Sequence, residues 1–486
     1  MTIGNAVSQP VSGHLTDIFG RRKGLIVCYV LFTIGTLLCG LSRHLGLFLA
    51  GRIIQGLGTG SLASITSFIE SDLVPLRKRA LIEGIGNVAF GATLALGGIY
   101  GGAINEAIGW KWAFLIQVPV LVIDALIVLL TLRIPNEKSK SGSKESIDYI
   151  GCILLLITIT FFQLGLTAGS SGSWHAPLSI SSITIAGTGF AAFIYYDLFH
   201  ASNPALPLRA LTQRTIASSQ LSYFFNSAAT AGILFYVPIY LQILGNSPSS
   251  TGLRFIPYAI MFGFGSFIAG YLVKMTSRYY VINVVIQASA VAGAIGLCTM
   301  NERTPNVAPY LYLVLIGLGL GGAYVTRLMG LLSSAENEKQ AVIQAASWTI
   351  SSTGFTMGVT AASAVFLKLS LTDLEGVLGQ QPELLSAIRA SFEVISSLGG
   401  KEKEEVVGIY LKALKGVFYL TMGEMAVSAL ISLFMENNVV SDEMESDVKE
   451  KEKEKEGDRI SVKKEKEEVE VSVQKEKEGD KVSVEK

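Results

Sequence analysis

Charged residues are scarce in this chain. They make up 16% of the 486 residues, and half of the sequence is hydrophobic, whereas a soluble domain usually has about 25% charged residues. Much of the charge lies after Ser441, so the preceding part is more apolar than a soluble core requires. The formal net charge is zero, which gives no sign of a nucleic-acid partner.

Residues with catalytic or metal-binding chemistry are also few. The four cysteines lie in apolar segments, where they are expected to be small buried hydrophobes and not a disulfide or zinc set. The four histidines are scattered over connecting segments. No P-loop pattern G-x-x-x-x-G-K-[ST] occurs in the sequence, which excludes ATP-driven pumping. We therefore expect no enzyme, no metal site and no cofactor.

Long hydrophobic runs dominate the sequence instead. A bilayer core of about 30 Å requires roughly 20 apolar helical residues. Twelve runs approach that length, and residues 2–12 form a further partial span. The predicted spans are 24–41, 47–68, 81–104, 112–132, 149–168, 178–198, 217–243, 252–273, 280–299, 309–326, 343–367 and 413–435.

The cations between these spans lie mainly on one side. If the Arg21–Lys23 connector is cytosolic and the spans alternate, the cytosolic connectors hold 16 Lys and Arg residues, against four in the short outer connectors and their margins. This bias agrees with the positive-inside rule. It assigns Arg79 and Arg327 to cytosolic connectors, the connector 368–412 to the outside and the charged tail to the cytosol.

The stretch 13–23, GHLTDIFGRRK, combines turn-forming residues with three cations. Asp17 can accept hydrogen bonds from neighbouring helix N-termini and pair with Arg21. Such a cluster can hold one face of the protein shut; the alternative is a cluster that only sets the topology. The candidate gating residues are Gly13, Asp17, Gly20, Arg21 and Arg22.

Arg52 and Gln55 are polar residues inside the predicted span 47–68. An arginine at the centre of a lipid-facing helix costs at least about 2.5–3.5 kcal/mol on insertion scales, and less near the helix end. Gln55 lies about one turn further along roughly the same face. Arg52 is therefore expected to face protein or water, or to extend its side chain to the outer surface.

A run of glycines follows in the predicted span 81–104. In lipid, small residues four apart let helix backbones touch. This spacing predicts a helix-packing surface, and packing alone would explain it. The glycines concerned are Gly97, Gly98, Gly101 and Gly102.

These three motifs, in this order, resemble the signatures of the major facilitator superfamily. The stretch 13–23 matches the loop signature G-x-x-x-D-x-x-G-R-[RK], and Arg52–Gly58 matches R-x-x-Q-G-x-G. The run 97–102 is similar to the antiporter signature G-P-x-x-G-G, with Gly98 where proline is usual. The resemblance covers residues 1–436.

The resemblance implies an all-α polytopic membrane protein with the major facilitator fold, two helical bundles and two extra inserted helices. The chain is similar to the 14-span drug:proton antiporter branch, and segment 71–80, SDLVPLRKRA, is similar to that of fungal members, including vacuolar basic amino acid transporters. It implies a monomeric secondary transporter of the plasma or vacuolar membrane, with small-molecule substrates and protons as partners. Those substrates would be drug-like compounds or basic amino acids, and Arg52 and Gln55 would belong to the proton path.

The resemblance also divides the chain into an N-terminal bundle (1–134), a linker with two inserted spans (135–200), a C-terminal bundle (201–436) and a charged tail (437–486). The family's first helix, which lines the central cavity, is missing from the N-terminal bundle. The alternative is therefore a truncated membrane protein of the same fold that does not transport. The tail is expected to be disordered, either as a sorting or interaction segment or as a solvated appendage.

Several polar residues lie inside predicted spans. Asp124 lies about 13 Å from Arg133 by helical rise, near mid-bilayer, and is a proton-relay candidate, as Glu424 is on weaker grounds. The alternative for Asp124 is a protonated carboxyl bonded to a neighbour. Candidates for a polar substrate cavity are Asn87, Gln117, Asn226 and Tyr236. Helix–helix hydrogen bonding or plain packing is the alternative for each of them.

The orientation is testable by labelling. Single cysteines at positions 22 and 78, in a chain whose four native cysteines are replaced by alanine, should react with a membrane-impermeant maleimide from the same side. The positive-inside bias places both connectors in the cytosol. Labelling of the two positions from opposite sides would refute the predicted topology.

Overall fold

The computed structural model describes residues 4, 5, 7–9, 12, 16, 20–132, 148–171, 174–201, 208–246, 248–300, 304, 307–335, 340–378 and 400–437. The regular elements in this part of the chain are helices. The charged tail, with the disorder expected for it, lies outside the described residues.

The helices alternate with short connections. In chain order they are α1 (Arg21–Leu41), α2 (Leu45–Leu73), α3 (Leu76–Ile108), α4 (Trp110–Leu115), α5 (Gln117–Thr131), α6 (Tyr149–Ser171), α7 (Pro177–Phe199), α8 (Leu208–Leu211), α9 (Arg214–Ile243), α10 (Pro248–Thr276), α11 (Tyr280–Cys298), α12 (Ala308–Ser334), α13 (Gln340–Leu378) and α14 (Gly400–Ser432).

Among the described residues, 11 helical segments are long and apolar enough to cross a bilayer. This confirms an all-α polytopic membrane protein. The predicted span 47–68 is the 29-residue helix α2, which is not one of the 11. Its Arg52, Gln55 and several Ser and Thr residues make it less apolar than the others. The predicted span 112–132 is divided at Ile116 into α4 and α5.

One predicted connector is helical at both of its ends, where the sequence analysis predicted a loop. The connector 368–412 is shorter than expected, because α13 continues to Leu378 and α14 begins at Gly400. Leu374 and Val406 are buried in these extensions. Lys412 also forms an ion pair with Asp373, with 2.8 Å between Nζ and Oδ2. Burial of apolar side chains stabilises the extra turns.

Arg79 and Arg327 lie within helices and not in the connectors to which the sequence analysis assigned them, whereas the side of the membrane assigned to them stays a prediction. Arg79 is a buried residue of α3, and Arg327 is a fully buried residue of α12. The physical reason for Arg327 is the apolar run that follows it, Leu328–Leu332, which is helical and mostly buried. A helix that must bury those leucines carries the arginine into the interior with them.

The largest core lies between the helices of the C-terminal part. Helix α9 packs against α13 and α14, and α12 packs against α11. In the N-terminal part α1 packs on α2 and α5, and the inserted helices α6 and α7 pack as a pair. Helices α3 and α10 join the two parts along an extended contact.

Glycines allow the close approach of α3 and α10. A Cβ atom added to Gly91 would lie 2.4 Å from the carbonyl oxygen of Ala259, and one added to Gly270 would lie 2.1 Å from that of Ala80. Gly84 and Gly91 lie seven residues apart on one face of α3, and this face packs on α10. Cβ atoms added to Gly86 and Gly97, which share a different face, would have no heavy atom within 4 Å. The close contact therefore depends on one face of α3.

A glycine pair in α3 tests this contact. Gly91→Ala should destabilise the protein by about 1–3 kcal/mol, because the methyl group meets backbone that cannot yield freely. Gly97→Ala, on a face of the same helix that has open space beside it, should leave stability unchanged or raise it, since alanine is the better helix former. Thermal melting of the purified proteins in detergent measures both, and equal melting temperatures would contradict the close contact between α3 and α10 at Gly91.

Candidate functional site

The predicted gating loop is described only in part. Gly13 and Asp17 lie outside the described residues, so the pairing of Asp17 with Arg21 stays a prediction. Gly20 has a φ of +85°, the left-handed region that glycine tolerates, at the start of α1. Arg21 lies over the ring of Phe68 in α2, 5.3 Å from its centroid. Arg22 donates a hydrogen bond to the carbonyl oxygen of Leu129 in α5. Both arginines therefore contact neighbouring helices.

Three side-chain hydrogen bonds join the N-terminal and C-terminal parts on the side of this loop. Arg79 Nη1 donates to Gln340 Oε1 at 3.0 Å. Trp348 Nε1 donates to Ser67 Oγ at 3.4 Å, and Ser352 Oγ donates to Gln9 Oε1 at 3.1 Å. The positions on α13 run from Gln340 to Ser352, about 18 Å of helix. We call these three contacts the latch.

A carboxyl pair lies beside the latch. The side chains of Glu70 in α2 and Glu83 in α3 are hydrogen-bonded to each other, with Arg79 close enough to interact with both. Two carboxyl groups can share a hydrogen bond only if one of them carries a proton. The sequence analysis missed this pair. The signal was available, because both acids flank the basic connector 77–79 at the ends of consecutive helices.

Arg52 and Gln55 lie together, as expected from their spacing. Arg52 Nη1 donates to Gln55 Oε1 at 3.1 Å, and Gln55 Nε2 donates to Thr36 Oγ1 in α1 at 3.1 Å. The guanidinium also lies over the rings of Phe114 and Phe48, 4.7 and 5.3 Å from their centroids. These aromatic contacts compensate for lost hydration of the cation. A role in proton movement stays a prediction.

The other proton-path candidates lie elsewhere. Asp124 Oδ2 accepts a hydrogen bond from the Tyr29 hydroxyl at 2.8 Å, on an exposed face of α5. Glu424 is half-buried in α14, on the other bundle. Because Glu424 lies in the C-terminal bundle, the structure does not bring the four candidates into one cluster. The Tyr29 hydroxyl is the bonded neighbour that the alternative interpretation of Asp124 requires.

The candidates for a substrate cavity are also dispersed. Asn87 is half-buried on α3, and Gln117 Nε2 donates to the Ala113 carbonyl oxygen at 2.8 Å within its own chain segment. Tyr236 is buried in the C-terminal core, where its ring lies 5.5 Å from that of Phe366. Asn226 differs from the others because its Oδ1 accepts a hydrogen bond from Arg327 at 3.0 Å.

Next to Arg327 is a small cavity where α9, α12 and α13 meet. It is lined by Tyr223, Tyr324, Leu328, Gln344, Ser347 and Trp348. Trp348 also belongs to the latch, so the cavity lies at the junction of the two parts. The sequence analysis missed Arg327 because it ended the span at residue 326. The apolar run 328–332 was the signal that the helix continues.

Eleven membrane-length helical segments among the described residues, with the N-terminal and C-terminal parts joined by the latch and by α3 and α10, fit the architecture of a membrane transporter built from two helical bundles. A model of the Major Facilitator Superfamily matches residues 1–359. The chain belongs to this superfamily and is an integral membrane transporter of small solutes, not an enzyme.

The chain is similar to fungal transporters along most of its length. It is 32% identical to the vacuolar membrane amino acid uptake transporter fnx2 of Schizosaccharomyces pombe, over 88% of this chain and 75% of the relative. It is 31% identical to the multidrug resistance protein fnx1 of the same yeast, over 86% and 81%. Its fold is similar to that of the human organic anion transporter MFSD10, with a TM-score of 0.57 and 14% identity over 89% and 81% of the two chains.

Cross-linking tests whether the latch must open. In a chain without native cysteines, Ser67→Cys and Trp348→Cys should be joined by a short reducible bis-thiol reagent, and the joined protein should lose transport until the link is reduced. Ser227 and Ser351, whose hydroxyl oxygens are 2.7 Å apart within the C-terminal bundle, supply the matched control. Joining cysteines at those two positions should leave transport intact. Full transport by the protein linked across the latch would show that this side does not open.

Proposed function

We propose that this chain is a proton-coupled antiporter that moves basic amino acids or drug-like organic compounds out of the cytosol, into the vacuole or out of the cell. The observation that carries the proposal is the latch, which joins the two bundles through three side-chain hydrogen bonds on the side of the basic connectors. A protein that alternates between two faces needs contacts at this junction that can break and reform.

The position of the latch supports the assignment of this conformation as closed towards the cytosol. The latch lies beside the connectors 21–23 and 77–79, which the positive-inside rule places in the cytosol. The conformation described here is therefore closed towards the cytosol. In the opposite state the latch would be broken and the bundles would close on the outer side.

Proton coupling is supported by the acids that the bundles bury. Glu70 and Glu83 share a hydrogen bond beside the latch, and Glu424 is half-buried in the opposite bundle. A carboxyl group within a membrane protein is costly as an anion, so it takes up and releases protons as its surroundings dry and hydrate. Opening of the latch would expose the Glu70–Glu83 pair to cytosolic water and favour proton release on that side.

The substrate class is supported by two kinds of likeness. The relatives include one protein named for amino acid uptake at the vacuolar membrane and one named for multidrug resistance. The segment 71–80 is similar to that of fungal vacuolar basic amino acid transporters. Both groups of substrate leave the cytosol in exchange for protons in this proposal, so the same cycle serves the vacuolar and the plasma membrane.

Flux into sealed vesicles tests the proposal. Vesicles with an acidic interior, and the chain oriented with its basic connectors outside, should accumulate labelled arginine, lysine or a cationic drug above the external concentration. A protonophore should abolish the accumulation, because outward proton movement drives it. Vesicles without the chain are the control. Accumulation that is unaffected by the pH gradient and by the protonophore would contradict proton coupling.

A further inference from the structure

Arg327 is the most deeply buried charged side chain among the described residues. It is fully shielded from solvent in the middle of the C-terminal bundle. Its Nη2 donates to Asn226 Oδ1 in α9 at 3.0 Å and to Ser428 Oγ in α14 at 3.1 Å. Its Cζ lies 5.8 Å from the centroid of the Tyr223 ring. Neutral groups from helices α9 and α14 therefore hold the guanidinium of this α12 residue in place.

The guanidinium lacks partners for most of its donors. Of the five N–H groups of an arginine, those on Nε and Nη1 have no hydrogen-bond acceptor. In the described ranges no Asp or Glu forms an ion pair with it. A buried cation without a counter-charge is strongly unfavourable, because the energy lost with its hydration is not recovered. Water could supply acceptors but not the negative charge.

The small cavity described above lies against this cation. Tyr223 lines the cavity and also faces the guanidinium, and Leu328, next to Arg327 in the chain, lines it too. The Tyr223 side chain therefore contacts both the cavity and the cation. Its hydroxyl donates to the Tyr324 carbonyl oxygen at 2.7 Å. This side chain would have to move, and give up that hydrogen bond, before a ligand in the cavity could reach the guanidinium.

Access to the cavity is linked to the latch. Trp348 lines the cavity and donates to Ser67 across the junction. In the latched arrangement the space holds no more than about one water molecule. When the latch opens, Ser67 moves away with the N-terminal bundle, and the cavity widens towards the cytosol.

We propose that Arg327 binds the carboxylate of a transported solute, which reaches it from the cytosolic side through the cavity behind Tyr223. The inference rests on the proposed function and adds a second recognition element to it, an anionic group on the solute. A carboxylate brings both the missing charge and the missing acceptors, and guanidinium–carboxylate pairs are the strong case of charged hydrogen bonding. The neutral partners Asn226 and Ser428 orient the Arg327 guanidinium, but they leave its charge and its Nε and Nη1 donors without a partner.

Decarboxylated analogues isolate this contact. Purified full-length protein should bind L-arginine at least about tenfold more tightly than agmatine, and L-lysine more tightly than cadaverine, as expected for a charged hydrogen-bonded pair. Ligand-dependent thermal stabilisation in detergent reads this out without any proton gradient. Arg327→Gln should remove the preference, whereas Arg278→Gln, at an exposed arginine, should keep it. Equal binding of each pair by the unmodified protein, or binding of neither, would overturn the carboxylate site.

A second variant keeps the test decisive if Arg327→Gln fails to fold. Asn226→Asp places a carboxylate on the oxygen that Arg327 already contacts. It should raise the melting temperature of the ligand-free protein and abolish the preference for L-arginine over agmatine. A lower melting temperature, or an unchanged preference, would show that Arg327 does not lack an anion. If either of these results were found while the protein still carried out proton-driven flux of another solute, the proposed transport function would stand and only the carboxylate site at Arg327 would be refuted.

Discussion

The close contact between α3 and α10 is the constraint on which the two-bundle arrangement depends. Lipid offers little hydrophobic drive for helices to associate, so tight packing and polar contacts must hold them. Gly91 and Gly270 allow backbones to touch at positions where even a methyl group would overlap a carbonyl oxygen. The contact joins the N-terminal and C-terminal parts along one face of each of these two helices.

Polar groups divide between the bundles and their junction in a way that suits movement of one bundle against the other. The latch uses two amides, two hydroxyls and an indole with a single arginine, and each bond of this kind is worth only about 0.5–1.5 kcal/mol net, more where a charge takes part. These contacts can break and reform during a cycle. The stronger electrostatic features, the Glu70–Glu83 pair and Arg327, lie beside the latch or behind it. In the proposed cycle, opening the junction would change their access to water and so would join conformation to protonation and to anion binding.

Much of the architecture follows from local properties of the chain. The length and apolar character of segments such as 217–243 and 280–299 predicted helices α9 and α11 closely. Arg52 and Gln55 were correctly placed on one face, because a spacing of three residues returns to the same side of a helix. The misassigned residues share a cause. Arg79 and Arg327 are cations next to apolar runs, and local hydropathy assigns a cation to water unless a distant partner is known.

The sequence by itself determined a polytopic helical membrane protein, because hydropathy, helical rise and bilayer thickness act within single segments. Its resemblance to the facilitator superfamily came from three short motifs, which are also local. Only the tertiary structure decided which side chains meet. Arg79 finds Gln340 across 261 positions of the chain, and Arg327 finds Asn226 and Ser428 across 101 each. Such pairs depend on how whole helices cross one another, and no property of a single segment encodes that geometry. The same reason explains why an unpaired guanidinium in α12 could be recognised only once its neighbours were in place.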